Sequence, residues 1–149
     1  MTGDRDYAAL LAAFRTTLLT THGADGHLHC RPMAMRQQVR GEEIWFATSV
    51  DSNKRRDLEH DPQCALTFHG PDGTTLTVSG TGEVLRDRKL ALELWDASWA
   101  RWFPEGPAQR DLALLRVIPE HVERYDGATG RQEVLFTGPR RPAATPGAT

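Results

Sequence analysis

The sequence predicts a mainly β protein with α-helices at its connections: about six antiparallel strands forming a small barrel. Three observations carry this. Runs rich in Thr, Leu, Val and Phe recur between turn signals such as His22-Gly-Ala-Asp-Gly26, Arg40-Gly-Glu-Glu43 and Gly70-Pro-Asp-Gly73. Helical spacing of apolar residues is confined to short stretches between those runs. With 149 residues and 39% hydrophobic content the chain has material for one core, and closing a sheet removes the edges that so small a β domain would otherwise expose.

From the N-terminus, Leu10, Phe14 and Leu18 form an i, i+4, i+8 stripe after an acidic start, so residues 6–19 predict an amphipathic helix running into the β-rich Thr16–Thr21. His27–Val39 predicts a strand and Ile44–Thr48 a short apolar one. Asp51–His60 predicts a short helix, capped by Asp51 or Ser52 and stopped before Pro62. Cys64–His69 and Thr74–Leu85 predict two strands around a hairpin turn, with Gly80 and Gly82 marking a bulge or bend in the second. Leu92, Trp95, Trp99 and Trp102 predict one helix over 86–103, ended by Pro104-Glu-Gly-Pro107. Leu112–Tyr125 predicts a strand interrupted at Pro119, and Glu133–Phe136 a short last strand. Residues 1–137 are expected to form one domain. Residues 138–149, with three prolines and no large apolar residue, are expected to be a disordered tail.

Composition narrows the function classes. Eighteen Lys+Arg against twenty Asp+Glu leave a formal charge of −2, without the basic excess of a nucleic-acid binder. No run of about 18 apolar residues predicts a transmembrane helix. The start, MTGDRDYAALLAAF, lacks the basic-then-apolar order of a signal peptide, so a cytoplasmic location is expected. Cys30 and Cys64 form neither a metal-binding nor a CxxC pattern.

The segment Thr48–Arg56 carries the best candidate chemistry. It sets Lys54, Arg55 and Arg56 at the first turn of a predicted helix, where cations oppose the macrodipole. An anion there would resolve the conflict, held by free N–H groups, the Ser52 hydroxyl and Lys54. The alternative is that Asp51 caps the helix and the arginines point to water. Lys54 and Lys89 are the only lysines among the 18 basic residues, which singles out two places where a compact ammonium replaces a planar fork.

His27-Leu-His-Cys-Arg-Pro-Met33 is the second candidate. On a strand His27, His29 and Arg31 share a face. A His pair at i, i+2 is compatible with a metal, or with nothing more than a polar face. Pro32 lacks an N–H and marks an edge or bulge, leaving backbone near Met33 open to a planar heterocycle. Trp95 and Trp99 read as core, while Trp102 and Phe103 stand at a helix end where they can meet a ligand or partner. No Ser-His-Asp triad, Walker loop or GxGxxG is present, and no residue stands out as a general acid or base.

Taken in order, LLTTHGADGHLHCRPM, IWFATSVDSNKRRDLEHDP, LTVSGTGEVLRDRKLALELW, WFPEG and LALLRVIPEHVERYDG resemble the general-stress-protein branch of the pyridoxamine 5′-phosphate oxidase-like superfamily, over roughly residues 6–127. The resemblance implies a split β-barrel, a homodimer, and FMN bound where two subunits meet. It implies a flavin-facing strand at Arg31, Pro32 and Met33, with main chain along the isoalloxazine. It implies a strand end at Ala47 and Thr48, a phosphate element at Ser52, Asn53 and Lys54, and Trp102 and Phe103 near the partner's flavin. Cys30 stands where this branch often has a small residue, and Pro107–Asp111 replaces a common Asp-Pro pair. No substrate-phosphate residues of a true pyridoxamine phosphate oxidase are recognisable, so vitamin B6 synthesis is not expected.

The leading expectation is an FMN-dependent oxidoreductase with unknown substrate and electron donor; a deazaflavin is a variant of the same chemistry. The alternatives are a non-catalytic flavin-binding stress or carrier protein, and a metal- or haem-binding barrel using His27 and His29.

Overall fold

Alternation of period two decides most of the architecture. Cys64, Leu66 and Phe68 are buried, as are Leu76, Val78, Gly80 and Gly82, while their sequence neighbours are at least partly exposed. The computed structural model describes residues 7–14, 17–33 and 37–139. Its elements are α1 (Tyr7–Leu11), β1 (Thr17–His22), β2 (Leu28–Met33), β3 (Gln38–Arg40), β4 (Glu43–Ser49), α2 (Asn53–His60), β5 (Gln63–His69), β6 (Thr75–Leu85), α3 (Arg88–Leu94), β7 (Leu112–Tyr125) and β8 (Gln132–Thr137). Two 3-10 turns, Ala97–Arg101 and Gly106–Ala108, lie between α3 and β7.

The described strands form one antiparallel sheet ordered β2-β1-β5-β6-β7-β4-β3, with β8 also on β7. This is the split-barrel architecture, built from eight described strands instead of the six expected. The single strand expected over 27–39 is two, β2 and β3, and the short last strand expected over Glu133–Phe136 is β8, paired with β7. β6 runs along one edge of β7 over Leu114–Tyr125. The other edge is shared: β4 pairs with Leu112–Val117, and β8 with His121–Tyr125.

Pro119 sits between those two pairings, where no N–H is required of it. It does not interrupt β7. A bulge lies beside it: Ser79 and Gly80 of β6 stand opposite His121 and Pro119, so Glu120 is an extra residue of β7. A Cβ on Gly80 would lie 2.1 Å from the Ile118 carbonyl oxygen, so only glycine lets the two backbones approach this closely.

The core has two parts. Leu19, Ile44, Phe46, Leu66, Leu76 and Val117 belong to the cluster inside the barrel. Trp45, Ala47, Ala91, Trp99, Phe103 and Leu114 belong to a second, under α3 and the 3-10 turns. β4 serves both, one cluster on each face, and its five central residues are buried without a break.

The helix expected over 86–103 is broken. Asp87 caps α3, accepting from the Leu90 N–H at 3.0 Å, and Asp96 restarts the chain as a 3-10 turn, accepting from Ser98 N–H at 2.9 Å. An Asp side chain competes with helix continuation by bonding the backbone just after it. Trp99 is fully buried, Trp95 packs partly against the same cluster, and Trp102 emerges at the surface. At the N-terminus, helix extends only over Tyr7–Leu11 and strand begins at Thr17. Of the expected tail, residues 140–149 lie outside the described residues; Gly138 N–H bonds to Glu120 O at 2.7 Å. Among the described residues no helix is long and apolar enough to cross a membrane.

Gly80→Ala is expected to cost about 3 kcal/mol or more, because the new methyl meets backbone that cannot step aside. Ser79→Ala, exposed on the same strand, should stay within about 0.5 kcal/mol. Urea midpoints of the two variants check this; a wild-type midpoint for Gly80→Ala would mean the bulge tolerates a side chain.

Candidate functional site

α2 has one buried residue, Leu58, and it anchors the helix at a glycine. A Cβ on Gly82 would come within 3.3 Å of both Leu58 methyls and 3.2 Å of Cys64 Sγ, so the bare backbone of β6 admits the helix. Ser52 caps α2, its hydroxyl oxygen accepting from the Arg55 N–H at 3.3 Å; Asp51 does not.

The three cations at this helix start separate. Arg55 donates to Glu59 at 2.9 Å and to the Val50 carbonyl at 2.9 Å. Arg56 donates to Asp51 at 2.9 Å and also bonds Asn53. Both arginines are exposed and locally paired. Lys54 is different. It is half-buried, donates to Thr48 Oγ1 at 3.0 Å, and has no carboxylate partner among the described residues. Burial first, and the Arg31 guanidinium second, push its pKa below the ordinary lysine value.

Arg31 reaches the same cleft from β2. It donates to Thr21 Oγ1 at 2.8 Å and to Asp57 Oδ2 at 3.2 Å, and the Thr21 hydroxyl donates to that same Oδ2 at 2.7 Å. Asp57 follows Lys54 by three positions, on one helix face. α2 therefore ties the two ends of the open sheet. Lys54 bonds Thr48 on β4, and Asp57 bonds Thr21 and Arg31 on β1 and β2. Two cations meet where one carboxylate serves only the arginine, an arrangement suited to an anion.

The family model for pyridoxamine 5′-phosphate oxidase-like proteins matches residues 5–142. The chain belongs to this family. A curated relative, protein bli-3 of Neurospora crassa, is 25% identical over 123 residues, 75% of this chain; the chain spans 59% of that relative's length. A general stress family protein of Xanthomonas campestris pv. campestris has 27% identity and TM-score 0.68, covering 95% of this chain and 94% of its own. A Clostridium acetobutylicum protein related to general stress protein 26 superposes with TM-score 0.74 at 19% identity, over 89% of this chain and 93% of its own. An F420 reductase (TM-score 0.60, 24% identity, 78% of this chain and 94% of its own) and a heme-binding protein of Mycobacterium smegmatis (TM-score 0.68, 16%, 89% and 57%) share the fold.

As a member of this family, the protein gathers some of the sequence-expected residues and scatters others. Arg31, Thr48 and Lys54 come together, with Ser52 and Asn53 at the same helix start. Pro32 is exposed on the outer face of β2, an end strand of the described sheet, and Met33 is buried inside the barrel. The side chains of Ala47 and Phe103 lie in the second apolar cluster, across β4 from Thr48. Trp102 is 46% exposed, with the Arg101 guanidinium 5.3 Å from its ring centre.

His27 and His29 turn to Asp25. His29 Nε2 lies 3.0 Å from Asp25 Oδ1, and the His27 backbone N–H donates to the same oxygen at 2.9 Å. That backbone bond, then the His29 side chain, hold the Asp25 carboxyl down at about 2. Among the described residues no group of three His, Cys, Asp or Glu is placed to hold a metal.

Thr21 and Asp57 escaped the sequence reading. Asp57 was legible as the i+3 neighbour of Lys54. Thr21 depends on the hairpin register, which sets it opposite His29, one pair beyond the row of Cys30 and two from Arg31.

A half-buried ammonium without a counter-ion costs the empty protein stability. Lys54→Met keeps the stem and removes the charge, and should leave the ligand-free protein as stable or stabilise it by about 0.5–2 kcal/mol. Thermal melts in phosphate-free buffer check this. A clear loss of melting temperature would show that the lysine holds the fold and does not await an anion.

Proposed function

We propose that the cleft seats the phosphate of FMN and that the protein is an FMN-dependent oxidoreductase. The observation that carries the reading is the Lys54 ammonium, half-buried beside Arg31 with only the Thr48 hydroxyl as its bonded partner among the described residues. A phosphate monoester supplies the missing negative charge, and the capped start of α2 adds its partial positive charge. The residues present fit this group. Lys54 and Arg31 hold the phosphate, Ser52 and the α2 N-terminus line its approach, and the outer edge of β2, unpaired among the described strands, offers backbone to the ring. When bound, the flavin supplies the hydride and single-electron chemistry; the chain supplies position and positive charge. Asp57, the carboxylate beside Arg31, is engaged by Arg31 and Thr21 and so is not free to act as a general base.

A homodimer belongs to the same reading. Leu18 and Pro32 are cross-strand partners, as are Thr20 and Cys30, and Leu28 follows on the same face. Ala65 and Thr67 continue it on β5. This outer face carries no charged side chain across three strands, in a chain of which 26% is charged. A second copy of the chain is the partner that a self-complementary, uncharged sheet face suits. Light scattering at micromolar concentration should give twice the 16.6 kDa chain mass; a flavin-binding monomer would remove this part of the proposal.

Lys54→Ala should weaken FMN binding roughly ten- to hundredfold, the range of one charge-assisted hydrogen bond, while riboflavin binding stays put. Lys54→Arg should recover part of the loss. Lys89→Ala, which removes the same charge from an exposed position on α3, should cost little. If both alanine variants bind FMN alike, the phosphate is not at α2. The spectrum of purified protein decides the cofactor class, since flavin, deazaflavin and haem absorb differently. Turnover with a nicotinamide donor then separates an enzyme from a flavin carrier.

A further inference from the structure

We propose that Thr21 and Asp57 are positioning residues that fix the Arg31 guanidinium at the phosphate seat; the inference rests on the FMN reading above. The three side chains form a closed ring. Arg31 donates through one terminal nitrogen to Thr21 Oγ1 at 2.8 Å and through the other to Asp57 Oδ2 at 3.2 Å, and Thr21 O–H closes the ring on Oδ2 at 2.7 Å.

The ring leaves little freedom. A threonine hydroxyl has one proton; giving it to Asp57 leaves only lone pairs for Arg31, so every donor and acceptor in the ring has one direction. Among the described residues two of the five guanidinium N–H donors are taken, which leaves three to face a ligand. The anchors are rigid: Thr21 is fully buried on β1, and Asp57 precedes Leu58, the residue that locks α2 onto Gly82. Arg31, by contrast, is a long side chain on an end strand of the described sheet, and free rotamers there would have to be frozen on binding. The ring does that freezing in advance. Asp57 also supplies the negative charge that keeps Arg31 beside Lys54 before any ligand arrives.

Two charge-conserving variants separate position from electrostatics. Thr21→Val removes the hydroxyl at near-constant volume, and Asp57→Glu displaces the carboxylate by one methylene on a solvent-facing helix. Each is expected to weaken FMN about five- to twentyfold, the scale of one or two lost orienting bonds, and to leave riboflavin affinity within about twofold. In an Arg31→Met background neither should change FMN affinity further, because nothing is left to position. Circular dichroism confirms folding first, and the two variants stress the fold at different places.

Wild-type FMN affinity in both variants, with Lys54→Ala still defective, would overturn the inference and leave the phosphate site standing. The same loss persisting in the Arg31→Met background would also overturn it, assigning the effect to general packing. Equal affinity of the wild type and Lys54→Ala for FMN and riboflavin would remove the site reading and this inference together.

Discussion

The β6–β7 ladder is the link on which the rest of the molecule depends. In the order β2-β1-β5-β6-β7-β4-β3 it joins the two halves of the sheet, and every cleft residue comes from one half or from the helix between them. Arg31 and Thr21 belong to the β1–β2 half, Thr48 to the β4 half, and Lys54 and Asp57 to α2, which sits on β6. The ladder passes the proline in β7 with Glu120 as an extra residue beside it and Gly80, bare of a side chain, opposite. The same strand receives α2 at Gly82. Two glycines on one strand therefore perform two jobs: one lets the ladder pass its proline, the other lets a helix approach the barrel wall. A side chain at either position would act on the cleft through the fold, far from any ligand atom.

The cleft sets two cations, Arg31 and Lys54, beside one carboxylate, Asp57. Arg55, Arg56, Arg40 and Arg124 each find a carboxylate within 2.9 Å. Such exposed pairs contribute little to stability. Lys54 has no carboxylate partner among the described residues and sits where that costs most, half out of water and beside another cation. Selection for folding alone would put a methionine there. A residue that raises the energy of the empty protein is understandable when a bound anion lowers it again, and stability is given up in this way at functional sites.

How far the sequence could be read follows from which forces act locally. Turn chemistry at Gly70–Gly73 and the period-two burial of β5 and β6 are local, and both were legible. So was the Ser52–Lys54 helix start, because capping and macrodipole arguments need only neighbouring residues. The break of the 86–103 helix at Asp96 was also written locally, in an Asp followed two residues later by Ser, but the aromatic spacing masked it. At Pro119 the irregularity of the ladder is legible and the continuity of the strand is not. Whether a proline breaks a strand depends on what its missing N–H would have faced, and that is set by where β4 ends and β8 begins. The family resemblance pointed to Arg31, Thr48 and Lys54, which the fold brings together. It also pointed to Phe103, whose side chain the fold places in the second cluster behind β4.

The side chains that tie α2 to the sheet are the same ones proposed to face the phosphate. α2 spans the opening between β4 and the β1–β2 hairpin with polar bonds alone, Lys54 to Thr48 on one side and Asp57 to Thr21 and Arg31 on the other. Only Leu58 fastens it to the barrel. A phosphate at Lys54 and Arg31 adds a third tie between the same elements, so binding and closure of the sheet ends draw on one set of contacts. An anion that fills the proposed seat would hold α2 in place. A barrel left split between β4 and the β1–β2 hairpin is bridged by the helix, and an anion at the proposed seat would add to that bridge, which is a physical reason for a seat at the split instead of on a continuous face.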